Sequence, residues 1–487
     1  MVQTPTTHKR FLALLLLAMV AVVYLPSTRN SFVWDDDYYI THNMTLSGVS
    51  GLRRIWLEPG ATPQYYPLVF TSFWLEYHLF GLNPAVFHTT NILLHAANAL
   101  LAWLVLSRLR IPWAWVAAAI FAIHPVNVES VAWVSERKNV LSGFFVLLSL
   151  LFLIDALIPS GRETRTGKRL LKPWLPGVAA FLFFVPALLS KSVTSMMPVV
   201  FLLLAWWKTP ETWFRKALAL APFFIAGGAA GLHTVVMEKA HVGAHGVEWY
   251  FSMADRILIA TRALWFYAGK LAFPVNMVFI YPRWEIDASA PLQYLFPLAT
   301  LALLAWLWTA RLRIGRGPLT GVAIFVVTLF PALGFINYYP MRYSFVADHF
   351  QYLAGIAMIA LATAGGHVIL SAGGSHRNRK TAWALCAGLL LLLGVRTFQE
   401  QAKYENFRTL WRDTLIKNPE CWMAHNNLGT LLSKIGEYER ATTHFQESLR
   451  IYPMNIMARL NLEAMSGKHD PTTSAQLLYT NSAARPV

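Results

Sequence analysis

Phe32-Val33-Trp34-Asp35-Asp36-Asp37-Tyr38-Tyr39-Ile40 follows closely on the apolar run Phe11–Leu25, and the pairing decides the class of fold. A run such as Phe11–Leu25 seeks a bilayer, and aromatic residues gather where a helix leaves it. Three adjacent carboxylates repel one another, so the run is either a solvated helix cap or a set of groups held at the membrane surface for chemistry. Lys9 and Arg10 precede the apolar run, and no small-x-small cleavage site follows it. An uncleaved first span with a cytoplasmic N-terminus is therefore expected.

The whole composition agrees. The 487 residues are 56% hydrophobic and 14% charged, against about 25% charged in soluble domains. Apolar runs at Phe11–Leu25, Val86–Leu106, Ile111–Ile123, Val140–Ile158, Trp174–Leu189, Met196–Trp207 and Ala217–Met237 are candidate spans. Pro291–Trp308, Leu319–Ile336, Phe350–Leu370 and Thr381–Val395 follow, giving about eleven spans if each crosses. The expected fold is all-α: a polytopic membrane helical bundle with a small C-terminal helical domain.

The net charge of +16 is concentrated in short loops, the positive-inside pattern rather than a nucleic-acid face. Arg108 and Arg110, the Arg162–Lys172 run, Lys208 to Lys216, Arg311 to Arg316 and Arg377 to Lys380 should all be cytoplasmic. Ile257–Phe273 breaks the alternation and carries Arg262 and Lys270. It is expected to lie in the interface or re-enter on the outer face. Cys386 and Cys421 have no evident partner, which argues against disulfides and thiol metal sites.

After Val395 the chain reads as soluble helices. Trp411 and Phe445, Leu415 and Leu449, and Pro419 and Pro453 are each 34 apart, the period of a tetratricopeptide repeat. Residues 1–396 are thus expected to form the membrane domain, 397–467 a periplasmic repeat-like domain, and 468–487 a disordered tail. A paired-helix unit offers a face for a peptide or protein partner.

This topology sorts the polar residues by side. Asp35, Asp36, His124, Glu129, Arg137, Lys138, Lys191, Arg342, Asp348 and His349 all fall outside. Singly, such cations snorkel to the interface. Cations and carboxylates converging on one leaflet from distant positions suit a lipid-linked anionic phosphate. His88 and His95 sit on one helical face without a third ligand and read as buried hydrogen-bonding groups. No Gly-rich phosphate loop or nucleophile elbow is present.

These residues resemble the polytopic glycosyltransferases of the GT-C class, specifically the transmembrane, tetratricopeptide-containing O-mannosyltransferase family. The likeness runs through Trp34-Asp35-Asp36, Tyr66-Pro67-Leu68 with Glu76, and Gly81-Leu82-Asn83-Pro84. It continues in His124-Pro125-Val126-Asn127-Val128-Glu129 with Glu136-Arg137-Lys138-Asn139, then Ser190-Lys191, Tyr281-Pro282-Arg283-Trp284 and Asp348-His349-Phe350-Gln351-Tyr352-Leu353. Where animal members have Arg-Pro-Leu this chain has Tyr66-Pro67-Leu68, and its repeat array is shorter.

The resemblance implies transfer of a sugar from a polyprenyl-phosphate carrier to an acceptor hydroxyl on the outer face, with inversion and no required cofactor; a divalent cation on the triple aspartate is the less favoured alternative. Asp36 is the first choice for the base and Asp35 the second. Lys191, Arg137, Lys138 and Arg342 would bind the donor phosphate, with His124, Glu129, Asp348, His349, Tyr66 and Glu76 in support. The partners would be the polyprenyl-phosphate-linked donor, membrane lipid and a protein or glycan acceptor brought in by the repeats, with no nucleic acid. The bacterial inner membrane is the expected site. The rivals are a flippase for lipid-linked sugars, which would put ionisable groups near the midplane, and a non-catalytic scaffold presenting the repeats.

Overall fold

The computed structural model describes residues 6–157, 175–371 and 376–466. Helices dominate, and no strand occurs among the described residues. Five helices are long and apolar enough to cross a membrane: Thr7–Arg29, Pro84–Arg108, Val134–Ala156, Pro291–Ile314 and Lys380–Tyr404. Two bent pairs, Ala114–Ala122 with Pro125–Ala132 and Trp213–Ala219 with Ala221–Val242, raise that to as many as seven. Four shorter apolar helices, Leu175–Ser190, Ser192–Lys208, Gly317–Ala332 and Ala354–Leu370, complete the set. Each of the eleven candidate spans read from the sequence lies mainly on one of these. The basic run expected at Arg162–Lys172 and the tail expected at 468–487 lie outside the described residues.

Lipid-facing surfaces are plain on the outermost helices. Leu298, Leu301 and Trp306 on Pro291–Ile314 are all more than half exposed, an apolar surface that water would not tolerate. The chain is an integral membrane protein. Pro84–Arg108 and Val134–Ala156 lie deeper, and the buried His95 and Asn98 are held there by hydrogen bonds. His95 spends one ring nitrogen on Tyr352 Oη at 2.8 Å and the other on Ala122 O at 2.9 Å. Asn98 Nδ2 donates to the same hydroxyl at 2.9 Å.

Two breaks shape the end of the bundle that carries the acidic run. Pro125 begins a new turn, His124 Nδ1 accepts from Val126 N, and the path bends by 53°. The chain then folds back as a short buried helix, Val128–Ala132, before re-entering at Arg137–Leu157. The Ile257–Phe273 run forms most of the helix Met253–Ala272, which starts in a Ser252/Asp255 capping box. Its cations are partnered. Arg262 covers the Trp284 ring at 4.4 Å, and Lys270 Nζ donates to the carbonyls of Val275 and Asn276.

The C-terminal segment is a run of four helices, Phe407–Lys417, Trp422–Lys434, Tyr438–Ile451 and Ile456–Met465. The boundary expected at 396 falls inside the continuous helix His376–Glu400. Trp411 and Phe445, equivalent by the 34-residue period, are both buried. Gly429 lets the second and third of these helices meet, since a Cβ there would stand 2.8 Å from the Phe445 ring. Gly429→Val is therefore expected to destabilise the segment by about 1–3 kcal/mol through overpacking. Limited proteolysis should show faster cleavage after residue 405, and an unchanged rate would contradict this packing.

Candidate active site

The acidic run is organised by Trp34. Its backbone is left-handed, with φ 47, a conformation that costs a non-glycine residue about 1–3 kcal/mol unless its surroundings enforce it. They do so here with rings. The indole stacks on Trp133 at 5.4 Å and meets the edges of Phe279 at 5.2 Å and Trp411 at 5.9 Å. The turn then sends the three carboxylates in different directions, which relieves their repulsion.

Asp36 points inward and is fully buried. Its Oδ2 accepts from Val33 N at 2.9 Å, and its Oδ1 accepts from Ser135 N at 2.8 Å and from the Ser135 hydroxyl. Burial pushes it up to about 7 against those three hydrogen bonds. Asp37 accepts from Thr41 Oγ1 at 3.0 Å. Asp35 is half-buried, and no described group donates to its side chain. Burial pushes it up to about 6, opposed mainly by Lys138 and reinforced by Glu136.

Beside Asp35 lies a mixed ionic cluster centred on Glu136. Lys138 Nζ approaches Glu136 Oε1 at 2.9 Å, and Lys191 Nζ approaches Oε2 at 3.4 Å. Asn139 Nδ2 donates to the same Oε2 at 2.6 Å, while its Oδ1 accepts from Lys191 Nζ at 2.6 Å. His349 Nδ1 stands 3.1 Å from Glu129 Oε1, with its Nε2 3.8 Å from Glu136. The Lys138 ammonium also faces the rings of Tyr39 and Trp133 at 5.1 and 5.6 Å. Burial pulls Lys191 down to about 8, with Glu136 opposing. Two buried cations are thus held together by residues from three separate stretches of chain.

The other residues singled out in the sequence divide by position. Tyr66 is buried near the cluster, within reach of the charges of Glu238 and Lys138, and burial pushes its phenol up to about 12. Asp348 accepts from Tyr281 Oη at 3.0 and 3.1 Å, and burial followed by the Glu129 charge raises its carboxyl. His124 is spent on Leu271 O at 3.0 Å and on its own turn.

Arg137 stands apart from Lys138. It is fully buried, meets Glu76 through both terminal nitrogens at 3.0 and 3.2 Å, and donates to Phe87 O at 2.8 Å and to Asn91. Arg342 is also set aside. It pairs with Glu248 at 3.0 Å, donates to Tyr452 Oη at 2.9 Å, and lies over Trp422, joining the C-terminal helices to the loop before Met253. The residues not assigned a role from sequence are Glu136, Asn139, Ser135 and Trp34. Glu136 was visible as a carboxylate beside Arg137, Lys138 and Asn139, but its spacing gives no hint that it also collects Lys191.

No family model matches the chain. A Drosophila melanogaster protein O-mannosyl-transferase, Tmtc1, is similar at 24% identity over 91% of this chain and 62% of its own length. A Caenorhabditis elegans protein O-mannosyl-transferase is similar at 22%, over 90% of this chain and 62% of its own. Human protein O-mannosyl-transferase TMTC2 is 32% identical over 31% of this chain and 19% of its own length. The chain therefore spans less than two thirds of these relatives. Among solved structures, ArnT from Cupriavidus metallidurans bound to undecaprenyl phosphate aligns over 95% of this chain and 79% of its own, at 17% identity and a TM-score of 0.37.

Proposed function

We propose that the chain is a GT-C-type membrane glycosyltransferase moving a sugar from a polyprenyl-phosphate donor to an acceptor hydroxyl at the surface bearing the acidic run. The observation that carries this is Asp35, a half-buried carboxylate with raised basicity and no described donor, set beside two lysines gathered on Glu136. The protein O-mannosyl-transferase names of the relatives support the same reaction class.

Asp35 takes the proton of the acceptor hydroxyl as its oxygen bonds to the anomeric carbon. The bond from that carbon to the lipid phosphate oxygen breaks, and its electron pair leaves with the phosphate. Lys138 and Lys191 face the charge that builds there. Attack opposite the leaving group inverts the anomeric centre, and no metal ion is needed in this scheme.

Asp35 replaces Asp36 as the favoured base because both oxygens of Asp36 are already occupied. Asp36 instead fixes the turn to Ser135. Arg137 and Arg342 are assigned to structure, not to the donor phosphate. The C-terminal helices would recruit a protein or glycan acceptor, and in a bacterial inner membrane this face would be periplasmic.

The pH profile tests the assignment. Asp35 acts ionised, so kcat/KM should fall as pH drops through the range from about 7 to about 6, where Asp36 and then Asp35 take up protons. Lys191 acts protonated, so kcat/KM should fall again above about 8. Lys191→Arg keeps the cation at high pH and should remove the alkaline limb. An alkaline limb that stays in place in Lys191→Arg would take Lys191 out of the site.

A further inference from the structure

The C-terminal helices hold a histidine pair that sugar transfer does not use. His425, on Trp422–Lys434, and His444, on Tyr438–Ile451, bring their Nδ1 atoms to 3.0 Å from each other. Both rings are half-buried, with a tilted ring-to-ring separation of 5.2 Å. His425 Nε2 lies 3.1 Å from Pro419 O, which can only accept. The Nε2 therefore carries the hydrogen, and in the neutral ring Nδ1 presents a lone pair toward His444.

We infer that His425 and His444 form a binding site for a divalent transition-metal ion of the zinc class. Imidazole is a favoured ligand for zinc, copper and nickel. Two nitrogens bound to one tetrahedral zinc at about 2.0–2.1 Å are roughly 3.3 Å apart, so an opening of a few tenths of an ångström suffices. The Pro419 carbonyl supplies the outer hydrogen bond that commonly orients a metal-bound histidine. The pair supplies two protein ligands and water the rest, since among the described residues no third His, Cys, Asp or Glu joins them in a metal-holding group.

The two ligands come from neighbouring antiparallel helices. An ion between them would brace the same helix pair that Gly429 and Phe445 bring into contact. Without an ion, the two nitrogens must share one hydrogen, and the pair is an ordinary histidine–histidine hydrogen bond.

The test uses the full chain purified in detergent, free of any polyhistidine tag, titrated with Zn2+ by calorimetry. One equivalent should bind with a Kd on the order of 10 µM. His425→Ala and His444→Asn should each weaken it at least tenfold, and the second keeps a side chain able to donate a hydrogen bond. Zn2+ should also raise the unfolding midpoint of the wild type and leave both variants unmoved. Absence of saturable binding to the wild type would overturn the site and leave only the hydrogen-bonded pair. Equal binding by wild type and variants would place the ion elsewhere and overturn it equally.

Discussion

Asp35→Asn is expected to lower sugar transfer by roughly 10³-fold, within the range for loss of a general base and about 4 kcal/mol of barrier. The substitution is isosteric and breaks no described hydrogen bond of the carboxylate. It also removes a charge that burial disfavours. Donor affinity and thermal midpoint should therefore hold, with the loss confined to turnover. Asp36→Asn should behave differently. Its two oxygens take backbone N–H groups from Val33 and Ser135 at 2.9 and 2.8 Å, and an amide must turn its own N–H toward one of them. A stability loss of about 1–3 kcal/mol is expected, with activity falling because the Trp34 turn loosens. Comparison of kcat, donor binding and melting for the two variants separates the roles. Full activity in Asp35→Asn with a dead but stable Asp36→Asn would restore Asp36 as the base.

Arg137→Met is expected to be the most damaging single change to stability. The guanidinium is fully buried and its partner Glu76 nearly so. Removing one member of such a pair strands the other charge and costs about 3–5 kcal/mol. The yield of folded protein and its unfolding midpoint in detergent should drop sharply. Glu76→Gln combined with Arg137→Met should recover part of the loss, because no uncompensated charge then remains. If Arg137→Met stayed as stable as wild type while donor affinity fell, Arg137 would be a phosphate ligand after all.

The sequence reading reached the apolar helices. Composition and hydropathy carry that information directly, because lipid imposes it. The 34-residue period also pointed to packed helices, and Trp411 and Phe445 are buried as their equivalence suggests.

What the sequence concealed was direction. Asp35 and Asp36 are neighbours of one chemical type, and only the left-handed backbone at Trp34 decides which turns inward. Arg137 and Lys138 differ by one position at the start of a helix, where successive side chains diverge by about 100°. One therefore meets Glu76 and the other Glu136. Arg342 meets Tyr452 from 110 residues away, beyond any local pattern. Glu136 is central for a similar reason: Lys191 and His349 reach it from distant stretches.

The most direct measurement follows a radiolabelled sugar on a polyprenyl phosphate, with the purified chain reconstituted in sealed vesicles and an acceptor pool supplied at the surface bearing Asp35. Expected is label leaving the lipid and appearing covalently on the acceptor, in wild type and not in Asp35→Asn. Label that crosses the bilayer still joined to its lipid, with none on the acceptor, would contradict glycosyl transfer and establish a carrier instead.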